Sequence, residues 1–242
     1  ASNISSTTLI GLPGAAWENG ISVANYEWMA ALVLVFSAFF IVPRLLRAGV
    51  TTVPEWLEQR FDGRLRRYLS AVSIVLSIVL DTAGSLYAGA VVLMTFMPGL
   101  TLGWTCAAMA LFAGVYTVAG GLRAVVYTDV LQTVVLLVGS AVLCGIVLSR
   151  FDFSWTQIRD SVGADHLSLV QPLDDPAMPW LGLLIGVPVL GFYYWTMNQY
   201  VAQRILGARN LEQATKGALL AAALKLLPLV LMVLPGALAA SL

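Results

Sequence analysis

Hydrophobic positions along this chain fall in long unbroken runs, separated by short polar stretches. A helix that crosses a bilayer needs roughly 20 mostly apolar residues. Six runs reach that length, at about 21–43, 68–97, 102–120, 124–149, 179–200 and 214–240. A seventh, about 3–17, is shorter and carries Gly11, Pro13 and Gly14. Between the runs 21–43 and 68–97, Val53 to Phe61 (VPEWLEQRF) reads as a short amphipathic helix at the membrane surface. The longest break, Phe151 to Met178, is polar and holds Asp152, Asp160, Asp165, Asp174 and Asp175. The pattern predicts an all-α polytopic membrane helix bundle. Both ends lie in apolar sequence, so the chain is expected to be a fragment that starts and stops inside membrane spans.

Composition strengthens that picture. The 242 residues are 59% hydrophobic and 11% charged, where a soluble domain carries about 25% charged residues. Mean hydropathy is +0.85. The formal net charge is zero, which offers no overall basic surface for nucleic acid; the expected surroundings are a lipid bilayer. Cys106 and Cys144 sit in apolar runs and read as small hydrophobes, with no disulfide framework. The single histidine, His166, lies in a polar loop. One loop histidine and two isolated cysteines supply neither a nucleophile–base pair nor a metal cluster, so no enzyme is expected.

Basic residues set the expected orientation. If the runs alternate in direction, Arg44, Arg47, Arg60, Arg64, Arg66, Arg67, Arg123, Arg204, Arg209 and Lys216 fall on one side. Arg150 and Arg159 fall on the other. The first side is then cytoplasmic and the acidic loop lies outside. The short broken run 3–17 and the run 179–200, interrupted by Gly186, Pro188 and Gly191, stand at equivalent places if five helices are followed by five inverted ones. Paired broken segments point to an inverted-repeat transporter, although Gly and Pro are common in membrane helices in any case. The expected division is 1–150 as a first repeat beginning within its broken first helix, 151–178 as an extracellular loop, and 179–242 as the first two helices of a truncated second repeat.

Four ionisable residues lie in apolar surroundings: Glu27, Asp81, Asp129 and Lys225. Each costs several kcal/mol at the bilayer centre unless paired or hydrated. Glu27 and Lys225 have the chemistry to pair across a cavity and grip a polyhydroxy solute, the carboxylate accepting hydroxyl hydrogen bonds and the ammonium donating them. The alternatives are a salt bridge that only fixes packing, or a Lys225 that snorkels to the interface. Asp81, beside small residues, would face a substrate cavity or bind a cation. Asp129 is either a first-turn carboxylate favoured by the helix dipole or part of an ion site. Phe192, Tyr193, Tyr194 and Trp195 follow the Gly186–Gly191 break directly, where a flat ring can stack on a sugar face or close a cavity.

Five segments, read in order, carry a resemblance. ASNISSTTLIGLPG, ISVANYEWMAA, GVTTVPEWLEQRF, VYTVAGGLRAVVYTDVLQTVVLLVGS and YYWTMNQYVAQRILGARN together resemble the sodium/solute symporter family, over essentially the whole chain and with matching loop lengths. The resemblance implies a five-plus-five inverted-repeat fold and sodium-coupled symport of a sugar-like or polyol solute. Ala1 and Ile4 match positions whose carbonyls hold sodium, a hard cation suited to oxygen ligands. Asp129 matches a motif close to that site. The other sodium ligands belong to a helix beyond this sequence, so the sodium site is expected to be incomplete here.

For the solute, the resemblance implies that Glu27 and Lys225 contact sugar. Tyr194 would stack on it as an inner gate with Trp195 beside it, Thr8 and Asp81 would line the cavity, and Tyr26 would gate the outer side. Thr8 stands where sugar carriers have Gln or His, Ala30 replaces a Ser, Gly191 replaces an Asn or Thr, and Asp81 replaces an Asn or a basic residue. The alternative solutes are an amino acid, a carboxylate, a vitamin or sialic acid. A transporter-like membrane sensor is a further alternative, distinguished by a soluble signalling domain after the helices.

Overall fold

The computed structural model describes residues 3, 4 and 6–242, with the backbone alone for Ser6 and Thr7. Among the described residues the regular secondary structure is helical, apart from an isolated bridge between Gln171 and Pro179. Five helical stretches are long and apolar enough to cross a membrane: Thr8–Arg47, Gly63–Phe96, Leu102–Ser149, Trp180–Met197 and Leu211–Ala239. At 1.5 Å per residue, the 48-residue stretch would reach about 70 Å, more than twice the hydrocarbon thickness. It is divided at Gly121, whose backbone (φ 56, ψ −154) is non-helical and open only to glycine. This break splits α7 (Leu102–Ser149) into the two runs 102–120 and 124–149 expected from hydropathy.

The first stretch is divided in the same way. α1 (Ser6–Asn19) ends in a 3₁₀ turn (Gly20–Ala24), and α2 (Asn25–Phe36) follows. Gly20 has φ +72, and a Cβ there would come within 2.7 Å of the His166 Cα. The Ile21 amide then donates to the His166 carbonyl at 2.8 Å. α2 continues through a π-helical turn (Ser37–Ile41) into α3 (Val42–Arg47). With these divisions, the five stretches resolve into the seven apolar runs of the sequence.

The surface helix predicted at 53–61 is α4 (Val53–Arg60). Thr52 caps it, its side chain accepting from the Glu55 amide at 3.2 Å. Glu55 reaches back to the Thr51 amide at 2.8 Å and hydroxyl at 2.9 Å, a reciprocal cap of the capping-box kind. These bonds, the Thr51 amide first, hold the Glu55 carboxyl below its ordinary pKa. α5 (Gly63–Leu76), capped by Asp62, runs through a π-helical turn (Ser77–Thr82) into α6 (Ala83–Phe96).

The acidic break at 151–178 is more ordered than its composition suggests. It contains α8 (Trp155–Val162), whose Ile158 packs with Phe151 and Leu238 in a buried cluster. The loop also folds over the end of α1. Asn25 Nδ2 donates to the Leu169 carbonyl at 2.6 Å, and Leu167 and Leu169 pack against the buried cluster that includes Ile21 and Val23.

α9 (Trp180–Phe192) is the second difference from expectation. Its helix is unbroken across Gly186, Pro188 and Gly191; the interruption lies further on. A π-helical turn (Tyr193–Met197) closes on the Asn198 amide, which donates to the Tyr193 carbonyl at 3.0 Å. Asn198 is extended (φ −67, ψ 122), and its side chain caps α10 (Gln199–Leu206). Pro188 removes one amide donor without ending the helix.

The last run is also broken. α11 (Leu211–Leu224) stops at a turn, then a π-helical turn (Leu229–Val233) leads into α12 (Leu234–Ala239). Pro228 explains the stop, since its ring clashes with the carbonyl four residues earlier, that of Leu224. α12 crosses α1 at closest approach where Gly236 meets Pro13; a Cβ on Gly236 would lie 2.6 Å from the Pro13 Cα. Small residues at such crossings let helix backbones touch.

The contacts sort the links into two groups. Gly20, His166, Phe151 and Leu238 meet at one end of the bundle. At the other, the Val53 amide donates to Gln199 at 2.8 Å, Arg204 pairs with Asp129, and Gly207 lies against Leu122. These are the two groups that alternation of the runs assigns.

Candidate functional site

The break in the last run places Lys225. It is the residue after α11, with its amide shared between the Ala221 (3.0 Å) and Ala222 (3.2 Å) carbonyls. Only 6% of Lys225 is exposed, so it does not snorkel. Its ammonium donates to the Glu27 carboxylate and to Asn3 Oδ1, and lies 4.7 Å from the centre of the Trp195 ring. Carboxylate, amide oxygen and aromatic face together replace the water that a buried ammonium loses.

Glu27 stands in the first turn of α2, where the helix dipole favours negative charge. It is 8% exposed. The next turns of the same face are small or slender: Ala30, Ala31, Val33 and Leu34 pack with Trp195 and Ala222. Bulk there would hold α2 and α11 apart and separate the two charges. The pairing raised from the sequence therefore forms, and it closes a buried ion pair between residues 198 positions apart.

Two further groups complete the constellation. Asn3 precedes α1, in the non-helical stretch with Ile4. Its side chain accepts from Lys225 and donates through Nδ2 to the Tyr194 hydroxyl at 3.2 Å. Tyr194 and Trp195 lie in the π-helical turn of the α9 run, their rings edge to face with centroids 5.1 Å apart. A π-turn offsets consecutive side chains from α-helical register, and the two rings face different spaces. Trp195 borders a cavity of about 360 Å³ together with Asn3, Ile4, Thr133, Arg204 and Lys225. Tyr194 borders a second, of about 150 Å³, with Asp81 and Asn198.

Asp129 is not a first-turn carboxylate. Counted from the Gly121 break it lies in the third turn of its half-helix. It pairs with Arg204 of α10 at 3.2 Å, and Arg204 stacks over the Tyr200 ring at 4.3 Å. Ile4 borders the larger cavity, as does Arg204; Ala1 lies outside the described residues. Thr8 is one step removed, its hydroxyl donating to the Asn3 carbonyl at 3.1 Å. Tyr26 is 44% exposed on the outer face of α2, turned away from its neighbour Glu27.

Asn3 and Arg204 are the residues that reading the sequence passed over. A polar amide in the short non-helical stretch before α1 was the available signal for Asn3. Arg204 stands out in the sequence only as one of many basic residues at one membrane face.

A comparison with protein-family models matches this chain to the sodium:solute symporter family over residues 1–242. The chain belongs to the sodium:solute symporter family. It is 35% identical to solute carrier family 5 member 4B of Mus musculus, over 98% of this chain and 39% of that protein. It is 35% identical to a sodium/glucose cotransporter of Vibrio parahaemolyticus, over 98% of this chain and 45% of that protein. With sodium/glucose cotransporter 2 of Rattus norvegicus the identity is 36%, over 98% and 39%. The chain thus spans less than half the length of these curated relatives.

Among solved structures, the substrate-bound outward-open state of a Na+-coupled sialic acid symporter superposes with a TM-score of 0.84. It covers 98% of this chain and 50% of that one at 23% identity, which establishes the symporter fold. This symporter-family chain is therefore part of a multi-pass integral membrane protein. Its Glu27–Lys225 constellation sits in the interior, between the helix that opens the chain and the last two apolar runs.

Proposed function

We propose that the protein couples the inward movement of sodium to the import of a sugar or polyol. One observation carries this reading: a buried carboxylate–ammonium pair beside an aromatic face and an amide, at breaks in three helices. Glu27 offers acceptors for hydroxyls, Lys225 offers donors, Asn3 offers both, and Trp195 and Tyr194 offer flat faces for a sugar ring. The pair is neutral as a whole, which suits a neutral polyhydroxy solute. The sodium/glucose cotransporters among the relatives, at 33–36% identity, support the same solute class.

Solute binding exchanges bonds within the site. Hydroxyls of the solute replace part of the Glu27–Lys225–Asn3 network, so both charges stay satisfied at every stage. Sodium is the co-substrate. The non-helical stretch that holds Ile4 exposes backbone oxygens suited to it, with Ala1 as the second carbonyl and Asp129 as the nearby negative charge. Asn3 and Ile4 are adjacent, so ordering this stretch around sodium also positions Asn3 for the solute. Binding of either then favours the state that binds the other, and the coupling is reciprocal.

Alternating access follows from the breaks. Residues 1–150 form the first repeat, 151–178 the extracellular loop and 179–242 the start of the second repeat. Thr8 and Asp81 line the route, Tyr26 flanks its outer side, and Tyr194 swings to open the inner side. No covalent bond of the solute changes.

The test is uptake by the complete polypeptide in proteoliposomes, with an inward sodium gradient against a potassium control and a panel of labelled sugars, polyols, amino acids and carboxylates. Sodium-dependent sugar uptake that Glu27→Ala and Lys225→Ala abolish is the expected result. Sodium-dependent uptake of a different solute keeps the coupling and discards the sugar. Solute binding without uptake overturns transport in favour of a sensor.

A further inference from the structure

The smaller cavity carries a charge that lies outside the Glu27–Lys225 network. It is lined by Ser73, Ser77, Asp81, Tyr193, Tyr194 and Asn198, with two leucines. Ser73, Ser77 and Asp81 follow one another at four-residue steps, so they stack along one face of the α5 run. Asp81 lies in the π-helical turn Ser77–Thr82, within the membrane-spanning stretch Gly63–Phe96. π-turns inside helices commonly mark functional positions.

Charge accounting separates this cavity from its neighbour. The larger cavity is balanced: Lys225 is matched by Glu27, and Arg204 by Asp129. Among the described residues no lysine, arginine or histidine lines the smaller cavity, and Asp81 makes no ion pair with them. Asp81 is exposed on its membrane-spanning stretch, where a carboxylate without a cation is costly in the bilayer. The groups around it are hydroxyls, an amide and two aromatic rings, which are suited to surround a monovalent cation that the carboxylate neutralises. Aromatic faces favour an organic ammonium over a bare ion. The volume, about 150 Å³, is several times the ~30 Å³ that one water occupies in the liquid, so it admits an ammonium with its carbon.

Tyr194 belongs to both spaces. Its hydroxyl is held by Asn3, a ligand of Lys225, while its ring walls the Asp81 cavity. A solute gripped at Glu27 and Lys225 is therefore one aromatic ring away from Asp81.

We propose that Asp81 makes the protein selective for a solute that carries an ammonium group, held in the cavity behind Tyr194. This rests on the symport reading and narrows its substrate class from polyols to amino-bearing polyols such as amino sugars.

The test uses the complete polypeptide in proteoliposomes with a sodium gradient. Labelled glucose uptake is competed with glucose, with the 2-, 3- and 6-amino-deoxyglucoses, and with their N-acetyl derivatives as uncharged controls. At least one amino sugar should compete about tenfold better than glucose, the size expected of one charged hydrogen bond. Its N-acetyl derivative should lack the advantage. Asp81→Asn should erase the advantage, and Asp81→Glu should keep part of it. An advantage that survives Asp81→Asn, or none in the unaltered protein, overturns the proposal. A changed sodium-activation curve in Asp81→Asn with the amino preference intact assigns the cavity to sodium and also overturns it.

Thermal shift of purified protein with the same sugars reads the preference without transport. Stabilisation by an amino sugar that Asp81→Asn removes supports the proposal even where sodium-driven glucose uptake is absent, a result that would count only against the symport reading. The melting temperature of Asp81→Asn itself separates lost selectivity from misfolding, since removing an unpaired mid-span charge should leave the fold at least as stable.

Discussion

Among the described residues, the Glu27–Lys225 and Asp129–Arg204 ion pairs join helices far apart in sequence, and they differ in depth. Glu27–Lys225 lies in the interior, its side chains 10% and 7% exposed; Asp129–Arg204 lies near one end, at 20% and 18%. The first joins α2 to the break after α11, and the second joins α7 to α10. At the interior site water cannot stand in for a lost partner, so each charge depends on the other and on Asn3 and Trp195. At the outer site solvent competes, and Arg204 keeps a carbonyl of Tyr200 at 2.6 Å and the Tyr200 ring if the carboxylate leaves. On the symport proposed above, the interior pair is a fixed polar centre that a solute borrows, and the pair near the end is a contact that separates and re-forms. α10 is short and follows the extended Asn198, so its pair with Asp129 is placed where a segment can move.

The largest effect should come from halving the interior pair. Glu27→Ala leaves the Lys225 ammonium buried without its counter-charge, and such a loss costs about 3–5 kcal/mol. The melting temperature in detergent should fall steeply, and a double variant, Glu27→Gln with Lys225→Met, should recover most of it without recovering uptake. If Glu27→Ala melts like the unaltered protein, the pair is not the dry centre described here.

Next is the crossing of α1 and α12. Gly236→Ala sets a methyl against the Pro13 backbone and should cost about 1–3 kcal/mol, as overpacking does, read from the same melting curve. An unchanged melting temperature would mean that α1 and α12 do not cross so closely.

Halving the outer pair with Arg204→Gln should cost no more than about 1 kcal/mol, the range of partly solvated pairs. Its expected signature is a changed ratio of inward- to outward-facing states, visible in cysteine accessibility on α10, with little loss of stability. A loss as large as that of Glu27→Ala would erase the contrast between the two pairs.

The smallest effect belongs to the exposed cap of α4. Glu55 has its pKa lowered by the Thr51 and Thr52 bonds. Its contribution is present above the ordinary carboxyl range near 4.5 and disappears as pH falls through the lower folded value. Glu55→Gln should flatten the stability of α4 between those limits, in hydrogen exchange of the Thr51 amide, and leave the rest of the bundle unchanged.

The fold was largely legible from hydropathy. Runs of about 20 apolar residues require helices that satisfy their own backbone, and this alone gave seven segments and their order. Gly121 and Gly20 were harder, since the sequence does not say which of 21 glycines adopts a conformation closed to other residues. Pro188 and Pro228 show why proline alone does not place a break. Pro188 leaves α9 continuous, whereas α11 stops at Leu224, four residues before Pro228. Charges in mid-span were conspicuous because the bilayer penalises them, so Glu27, Asp81 and Lys225 were found as candidates from their surroundings alone.

The sequence by itself determined that the chain lives in a bilayer, where its spans lie and which buried charges need partners. Each of these follows from transfer free energies that depend on local composition. Only the tertiary structure decided which charges meet. Glu27 and Lys225, 198 positions apart, come together because Ala30, Ala31 and Ala222 let two helices close and Pro228 ends α11 just before Lys225. Asp81 is left beyond Tyr194 because the π-turns set neighbouring side chains toward different cavities. Pairing and separation of this kind depend on distances between helices, which no local property of the sequence encodes.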